Sequence, residues 1–171
     1  MTFSKYTSTM FKMNKKEVIA TIQTYLAEEL AAVTVAAKAA HEAATHEESR
    51  AEDSHDTRAI EAGYLAGAQA KRAEDLRAQL LMYKFMPTRD YGAEDVACPG
   101  ALVELEFNGR NAFYFIAPQG GGLVTRVDGQ PVQVITPMSP IGEALLGRRA
   151  GETFEVESRD TVRTYKVIKV G

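Results

Sequence analysis

The sequence predicts an α+β protein, in which an N-terminal antiparallel α-helical coiled-coil hairpin precedes a small antiparallel β-sheet domain with one short helix. Three observations predict this fold class. Apolar residues recur every three or four positions in the first half of the chain, as on one face of a helix. In the second half they alternate with polar residues, as in half-buried strands. Prolines and glycines between the halves mark a domain boundary near Thr88.

Composition limits the possible classes of function. The chain has 171 residues, 45% of them hydrophobic, and a formal net charge of -3, so a folded core is expected and direct binding of duplex DNA is disfavoured. Its one cysteine, Cys98, has no partner for an internal disulfide. No run approaches the roughly 18 apolar residues that span a bilayer. We therefore expect a cytoplasmic protein without membrane association.

The first helix is expected to follow a flexible leader, residues 1–13, which lacks the apolar core of a signal peptide. Asn14 is a suitable cap, and Glu17 stands three residues further on, as in a capping box. The apolar face then comprises Ile19, Ile22, Leu26, Leu30, Val33, Ala37, Ala40 and Ala44. This spacing predicts one long amphipathic helix.

A second helix repeats the pattern and ends before Pro87, which cannot continue a helix smoothly. Its apolar positions are Ala62, Ala66, Ala73, Leu76 and Leu80. We predict that the two helices form a hairpin over residues 14–86, with alanines allowing close approach at the far end. A dimeric coiled coil or half of a helical bundle fits the same periodicity.

The turn of this hairpin, near residues 46–58, is rich in acids. From Glu42 to Glu61 the only basic residues are Arg50 and Arg58, against seven acids: Glu42, Glu47, Glu48, Glu52, Asp53, Asp56 and Glu61. Clustered carboxylates suit a hard cation such as Mg²⁺, especially one that keeps waters and is shared with another site. We expect no metal to be bound independently. A solvated turn explains the same charges, and His46 with His55 leaves a transition-metal site as a weaker alternative.

Residues 87–100 are predicted to form a linker, and residues 101–171 a β-domain. Asn108-Gly109 and Asp128-Gly129 are typical of tight hairpin turns. The predicted strands around them are 103–107, 112–116, 123–127, 132–135, 154–156 and 165–170. Ser139 is the expected N-cap of the single short helix, with Pro140 as its first residue and Gly147 near its end.

The segment VITPMSPIGEALLGRRAGETFEV, Val134 to Val156, resembles the C-terminal domain of the Gre transcript-cleavage factors. The helical hairpin and the hinge extend the resemblance over nearly the whole chain. It implies an FKBP-like fold for residues 101–171 and bacterial RNA polymerase as the partner. It also implies docking at the rim of the polymerase secondary channel, for which the region of Ser139, Pro140 and Gly147 is the candidate surface.

The resemblance further implies that the hairpin enters the channel and that acids at its tip help to hold the second catalytic Mg²⁺. The candidate residues are Glu48, Glu52, Asp53 and Asp56. The polymerase would remain the catalyst, so we expect no enzyme activity, no cofactor beyond that shared Mg²⁺, and only indirect action on the nascent RNA 3′ end. Arg50 and Arg58 are candidates for contacting RNA phosphates, because guanidinium groups suit bidentate phosphate binding; pairing with nearby acids is their alternative role.

The tip departs from the family pattern, which has an acid, two intervening residues and then Glu-Asn-Ala-Glu-Tyr. The best counterpart here begins at Glu52 and reads EDSHD, but Ser49 stands where the first acid belongs and Glu48 lies one place earlier. A shift of one residue turns a helical side chain by about 100°. Glu48 and Glu52, four residues apart, can still share a helix face.

Alternatives therefore stay open. A non-cleaving Gre-like channel blocker fits the tip nearly as well as a cleavage factor. An FKBP-like peptidyl-prolyl isomerase or chaperone would need an aromatic-lined pocket, for which the candidates are Phe113, Tyr114, Phe115, Phe154 and Tyr165. A structural adaptor would dimerise through the helices, whereas an intramolecular hairpin predicts a monomer.

Overall fold

The computed structural model describes residues 13–45, 57–89, 91–92, 94–158 and 161–171, and their side chains except those of 43–45, 57–59, 62 and 158. The elements in chain order are α1 (Lys15–Thr45), α2 (Thr57–Lys84), β1 (Leu102–Phe107), β2 (Arg110–Ile116), β3 (Val124–Val127), β4 (Gln130–Ile135), α3 (Pro140–Leu145), β5 (Thr153–Ser158) and β6 (Thr161–Val170). Every predicted helix and strand is present within a few residues of its expected position.

Helix α1 begins as the sequence predicts. The Oδ1 atom of Asn14 accepts the backbone N–H of Lys16 at 3.0 Å, which satisfies one of the free donors of the first turn. The predicted apolar face is buried at Ile19, Ile22, Leu26 and Val33. Further along, where alanine replaces the larger residues, the face is only half-buried.

The two long helices run antiparallel within one chain. Arg72 Nη2 in α2 lies 2.8 Å from Glu29 Oε2 in α1, and Leu26 lines the same cavity as Leu76. Residues in the first half of α1 thus lie beside residues in the second half of α2. The two helices are therefore antiparallel, and the predicted intramolecular pairing is confirmed for the described helices.

A six-stranded sheet has the order β3-β4-β2-β1-β6-β5. Its pairs are antiparallel apart from β2 and β4, which run parallel from Phe113 opposite Val132 to Ile116 opposite Ile135. The fold class is confirmed, but this parallel pair was not predicted. Strands β2 and β4 are not joined by a tight turn, because β3 lies between them in the chain. The β3–β4 hairpin therefore brings β4 beside β2 in the same direction.

Both predicted hairpin turns form. Asn108 has a φ of 51° and Gly109 a φ of 74°, and Asp128 and Gly129 repeat the pattern with 51° and 76°. Two consecutive residues with positive φ are the signature of the type I′ turn, whose twist matches that of the paired strands.

The sheet separates two cores. On one face Phe115, Val132 and Val134 pack with Val18 and Ile22 of α1 and with Tyr83 of α2. On the other face Val103, Leu105, Ile116 and Val167 pack with Leu145 of α3. Strand alternation sends neighbouring side chains to opposite faces, so the base of the hairpin lies on one side of the sheet and α3 on the other.

The predicted linker, 87–100, contributes to the second core. Tyr91 and Ala97 are buried there, and Ala97 exchanges backbone hydrogen bonds with the α3–β5 connection, donating to Arg148 O at 2.7 Å and accepting from Gly147 N at 2.8 Å. The second half of this segment is therefore packed against the β-domain.

Lys15 joins the start of α1 to the β-domain. Its Nζ donates to the carbonyl oxygen of Arg89, lies 3.5 Å from that of Gly171, and stands 4.2 Å from the centre of the Tyr91 ring. The side chain is 4% exposed. A buried ammonium needs such partners, because desolvation without them is costly.

One stretch of the described chain, Lys15–Glu42 in α1, is long and apolar enough to cross a membrane by length and composition alone. The sequence-based expectation that no such stretch exists is wrong by this measure. The evidence for a membrane span is weak, since the buried core helix of a soluble protein and a signal sequence near the N-terminus pass the same test. The absence of membrane association stays a prediction.

Candidate functional site

The predicted metal-directed tip lies outside the described residues. Glu48, Arg50, Glu52, Asp53 and Asp56 all fall within residues 46–56. Arg58 is in the first turn of α2, and its side chain is not described. The roles proposed for these six residues therefore stay predictions.

The structure does describe the two helices that lead to this segment. Leu26 of α1 belongs to the core between the hairpin and the sheet. From Leu26 to Thr45 the helix is about 28 Å long, at about 1.5 Å per residue. Half-buried Ala37 and Ala40 of α1 and Ala66 of α2 lie along this part. Small side chains allow close helix packing, so the distal hairpin is narrow.

Large apolar side chains are exposed on the distal hairpin, which the sequence reading missed. Val35 is 71% exposed, Tyr64 77% and Leu65 54%. All three lie off the predicted apolar face. Their departure from the helical period was the available signal, because a side chain off the packed face must meet solvent or another molecule.

The predicted docking region is built around a well-formed helix cap. Ser139 Oγ accepts the N–H of Gly142 at 3.2 Å and donates to Thr136 O at 2.7 Å. Pro140 is the first helical residue, and Gly147, with a φ of 79°, follows the last turn. These local predictions are confirmed, while docking by this region stays a prediction.

Gly142 and Met138 are two features of this region that sequence reasoning missed. A Cβ atom at Gly142 would lie 2.0 Å from Thr136 O, so only glycine fits between the β4 end and α3. The preceding turn leaves the Met138 side chain 89% exposed. The cap thus presents a large apolar side chain to solvent from a rigid turn.

A second contact fixes the hairpin to the β-domain beside the glycine-rich loop 120–122. The Tyr83 hydroxyl donates to Gln119 O at 3.2 Å, and burial raises the pKa of Tyr83 to about 12. A cavity of about 440 Å³ separates the loop from the helices. The loop forms one wall of the hairpin junction.

The aromatic residues considered for a prolyl-binding pocket are divided between the two faces of the sheet. Phe113 and Phe115 belong to the core beneath the hairpin. Tyr114, Phe154 and Tyr165 lie on the opposite face. The sheet backbone separates these groups, so the five residues cannot line one pocket.

Comparison with known proteins identifies the C-terminal domain. Residues 93–171, a little under half of the chain, match the family model "Transcription elongation factor, GreA/GreB, C-term". The C-terminal domain is therefore Gre-like. A search of curated protein sequences found no match.

Solved structures are similar to more of the chain. It has 20% identity and a TM-score of 0.39 with the transcription factor Gfh1, over 86% of this chain and 92% of that one. With Gfh1 of Thermus aquaticus it has 21% identity and a TM-score of 0.36, over 92% of this chain and 94% of that one. With the elongation factor GreA/GreB of Nitrosomonas europaea it has 19% identity and a TM-score of 0.35, over 57% of this chain and 78% of that one.

Proposed function

We propose that this Gre-like protein regulates transcription elongation by binding bacterial RNA polymerase at its secondary channel, with the tip of the hairpin close to the catalytic Mg²⁺. The family model that matches the C-terminal domain is one of transcription elongation factors. The observation that carries the proposal is the antiparallel pairing of α1 and α2 within one chain, with Glu29 beside Arg72. We place the protein in the cytoplasm, where the polymerase is found.

The hairpin has a suitable shape for this task. Its base is held on the sheet through Val18, Ile22 and Tyr83, whereas its narrow part continues for about 28 Å beyond Leu26 at about 1.5 Å per residue. Residues 46–56 connect the far ends of the two helices. A rigid base and a slender projection suit insertion into a channel.

The chemistry of the tip would be to complete the coordination of a metal that the polymerase already holds. Mg²⁺ is bound through few carboxylates and keeps several waters. Glu48, Glu52, Asp53 and Asp56 provide carboxylates of this kind, and the polymerase would perform any RNA hydrolysis. Ser49 in place of the family's first acid favours, as a second outcome, a non-cleaving channel blocker.

The decisive experiment is in vitro transcription with stalled polymerase complexes. Replacing Glu48, Glu52, Asp53 and Asp56 together with Ala should preserve polymerase binding and abolish the effect on these complexes. A variant with Ala at the exposed residues Glu28, Glu74, Glu155 and Glu157 removes the same charge elsewhere and serves as the control. Full activity of the tip variant would exclude metal-directed action. Stimulation of transcript cleavage by the wild type would identify a cleavage factor, and inhibition would identify a channel blocker.

Docking is tested separately at the β-domain. Met138→Asp introduces a charge on the 89% exposed side chain beside the Ser139 cap, and it should weaken polymerase binding without altering the fold. Val162→Asp, at a 60% exposed position of β6, is the matched control. Equal binding by both variants would mean that polymerase does not contact the Ser139–Gly147 region.

A further inference from the structure

The face of the sheet that packs with α3 is open at its other end. Helix α3 follows the end of β4, near Ile116 and Ile135. At the opposite end of β1 and β2, where Phe107 pairs with Arg110, a cavity of about 520 Å³ is lined by Phe107, Asn108, Arg110, Ala112, Tyr114, Arg163 and Tyr165. We name this cavity the aromatic–arginine cup.

The aromatic rings that line the cup are those of Phe107, Tyr114 and Tyr165. Phe107 and Tyr165 are stacked with their ring centres 5.1 Å apart, and Tyr165 stacks in turn on Phe154 at 5.5 Å. Burial raises the pKa of Tyr114, and the nearby Arg163 acts against this increase. These rings have packed supports behind them and are held in place before any ligand binds.

The charge at the rim of the cup is positive. The Arg163 guanidinium lies 5.9 Å from the centre of the Phe107 ring, and both Arg163 and Arg110 are exposed. Among the residues that the structure describes, no carboxylate lines the cavity. The two acids of β1 are hydrogen-bonded elsewhere: Glu104 Oε1 accepts from Asn111 Nδ2, and Glu106 Oε1 accepts from the Gly109 N–H, each at 2.7 Å.

We propose that the aromatic–arginine cup binds a nucleotide, with the base stacked on the Phe107 and Tyr114 rings and the phosphate held by Arg110 and Arg163. Guanidinium groups recognise phosphate oxygens through paired hydrogen bonds. Aromatic side chains on a sheet provide stacking surfaces for bases of any sequence. The volume lies within the roughly 300–1,000 Å³ range of small-molecule sites.

An acidic peptide is the competing occupant. Its carboxylates would satisfy the two arginines, but nothing in a Glu or Asp side chain uses the aromatic surface beneath them. A base and a phosphate use both parts of the cup, which is why we favour a nucleotide. The nucleotide would come either from single-stranded RNA or from a free mononucleotide, and the site does not depend on polymerase binding.

Binding is measured with the full chain at low salt, by fluorescence anisotropy with a labelled eight-residue oligoadenylate and by calorimetry with AMP and ATP. Arg110→Gln combined with Arg163→Gln should weaken binding about tenfold or more, which corresponds to loss of about 1.4 kcal/mol or more. Arg126→Gln with Arg149→Gln makes the same charge change outside the cup and should leave the affinity within about twofold. Phe107→Leu should also weaken binding about tenfold, because each stacked base contributes about 1–3 kcal/mol.

The outcomes are distinct. Binding of the oligonucleotide alone identifies RNA as the source, binding of AMP or ATP alone identifies a mononucleotide, and both support the proposal. It is overturned if no probe binds at concentrations up to about 1 mM, the Kd of a weak ligand. It is equally overturned if the control pair loses as much affinity as the cup pair. It is also overturned if Phe107→Leu, folded by its thermal unfolding, binds normally, or if a Glu-rich peptide occupies the cup more tightly than any nucleotide.

Discussion

Replacing Gly142 with Ala should destabilise the β-domain strongly. The added Cβ would stand 2.0 Å from Thr136 O and 2.9 Å from Ser139 Oγ, whereas a carbon and a carbonyl oxygen normally stay about 3.3 Å apart or more. The carbonyl belongs to the backbone, so it cannot swing aside as a flexible side chain does. Either the β4–α3 connection or the first turn of α3 must move by about 1 Å.

The size of the effect follows from two contributions. Forcing an extra carbon into a packed site costs roughly 1–3 kcal/mol, and loss of the Ser139 cap adds about 1 kcal/mol. The expected decrease in the free energy of unfolding is therefore about 2–4 kcal/mol. For a protein of this size, 1 kcal/mol shifts Tm by about 2–4 °C, so Tm should fall by roughly 5–15 °C.

Thermal unfolding followed by circular dichroism measures this decrease. Gly63→Ala is the control, because a Cβ at Gly63 in α2 meets no atom within 4 Å and alanine favours a helix over glycine by about 1 kcal/mol. This control should raise Tm slightly. If Gly142→Ala left Tm within about 1 °C of the wild type, the close approach of Thr136 to α3 would not exist in solution.

Three further predictions concern the hairpin. Tyr83→Phe should remove a part of the loss of stability at alkaline pH. The pKa of Tyr83 is raised from 10.0 to about 12 in the folded protein, so the free energy of unfolding is unaffected by this group below pH 10. Between the two pKa values it decreases by about 1.4 kcal/mol per pH unit. Urea unfolding of the two proteins from pH 9 to 11.5 measures the difference, and parallel curves would contradict burial of the hydroxyl. Lys15→Met should lower stability by about 1–3 kcal/mol and speed hydrogen exchange at the start of α1, whereas the exposed Lys16→Met should change stability by less than about 0.5 kcal/mol; equal effects would show that the Lys15 contacts are not made. Size-exclusion chromatography with light scattering should give the mass of one 18.7 kDa chain, and a stable dimer would support the adaptor instead.

Local features were predicted well because their causes lie close together in the sequence. Asn108-Gly109 forms its turn since these two residues tolerate positive φ. Ser139 caps α3 because the donor it satisfies lies only three residues away. The apolar period of α1 correctly predicted the burial of Ile22 and Leu26.

Features that depend on distant residues were not predicted. The parallel pairing of β2 and β4 depends on where the β3–β4 hairpin returns. The packing of Ala97 depends on the carbonyl of Arg148, which lies about fifty residues away along the chain. Strand alternation sends neighbouring side chains to opposite faces, but it does not show which face of the sheet the hairpin covers.

The sequence by itself determined the helices, the strands, their turns and the acid-rich segment between the helices, because periodicity, capping and turn chemistry act over a few residues. Only the tertiary structure decided that the base of the hairpin lies on one face of the sheet, and that Phe107, Arg110 and Arg163 meet at the open end of the other. Contacts between residues so far apart in the chain depend on the strand order and on which surfaces are buried when the whole chain folds. No local pattern encodes them.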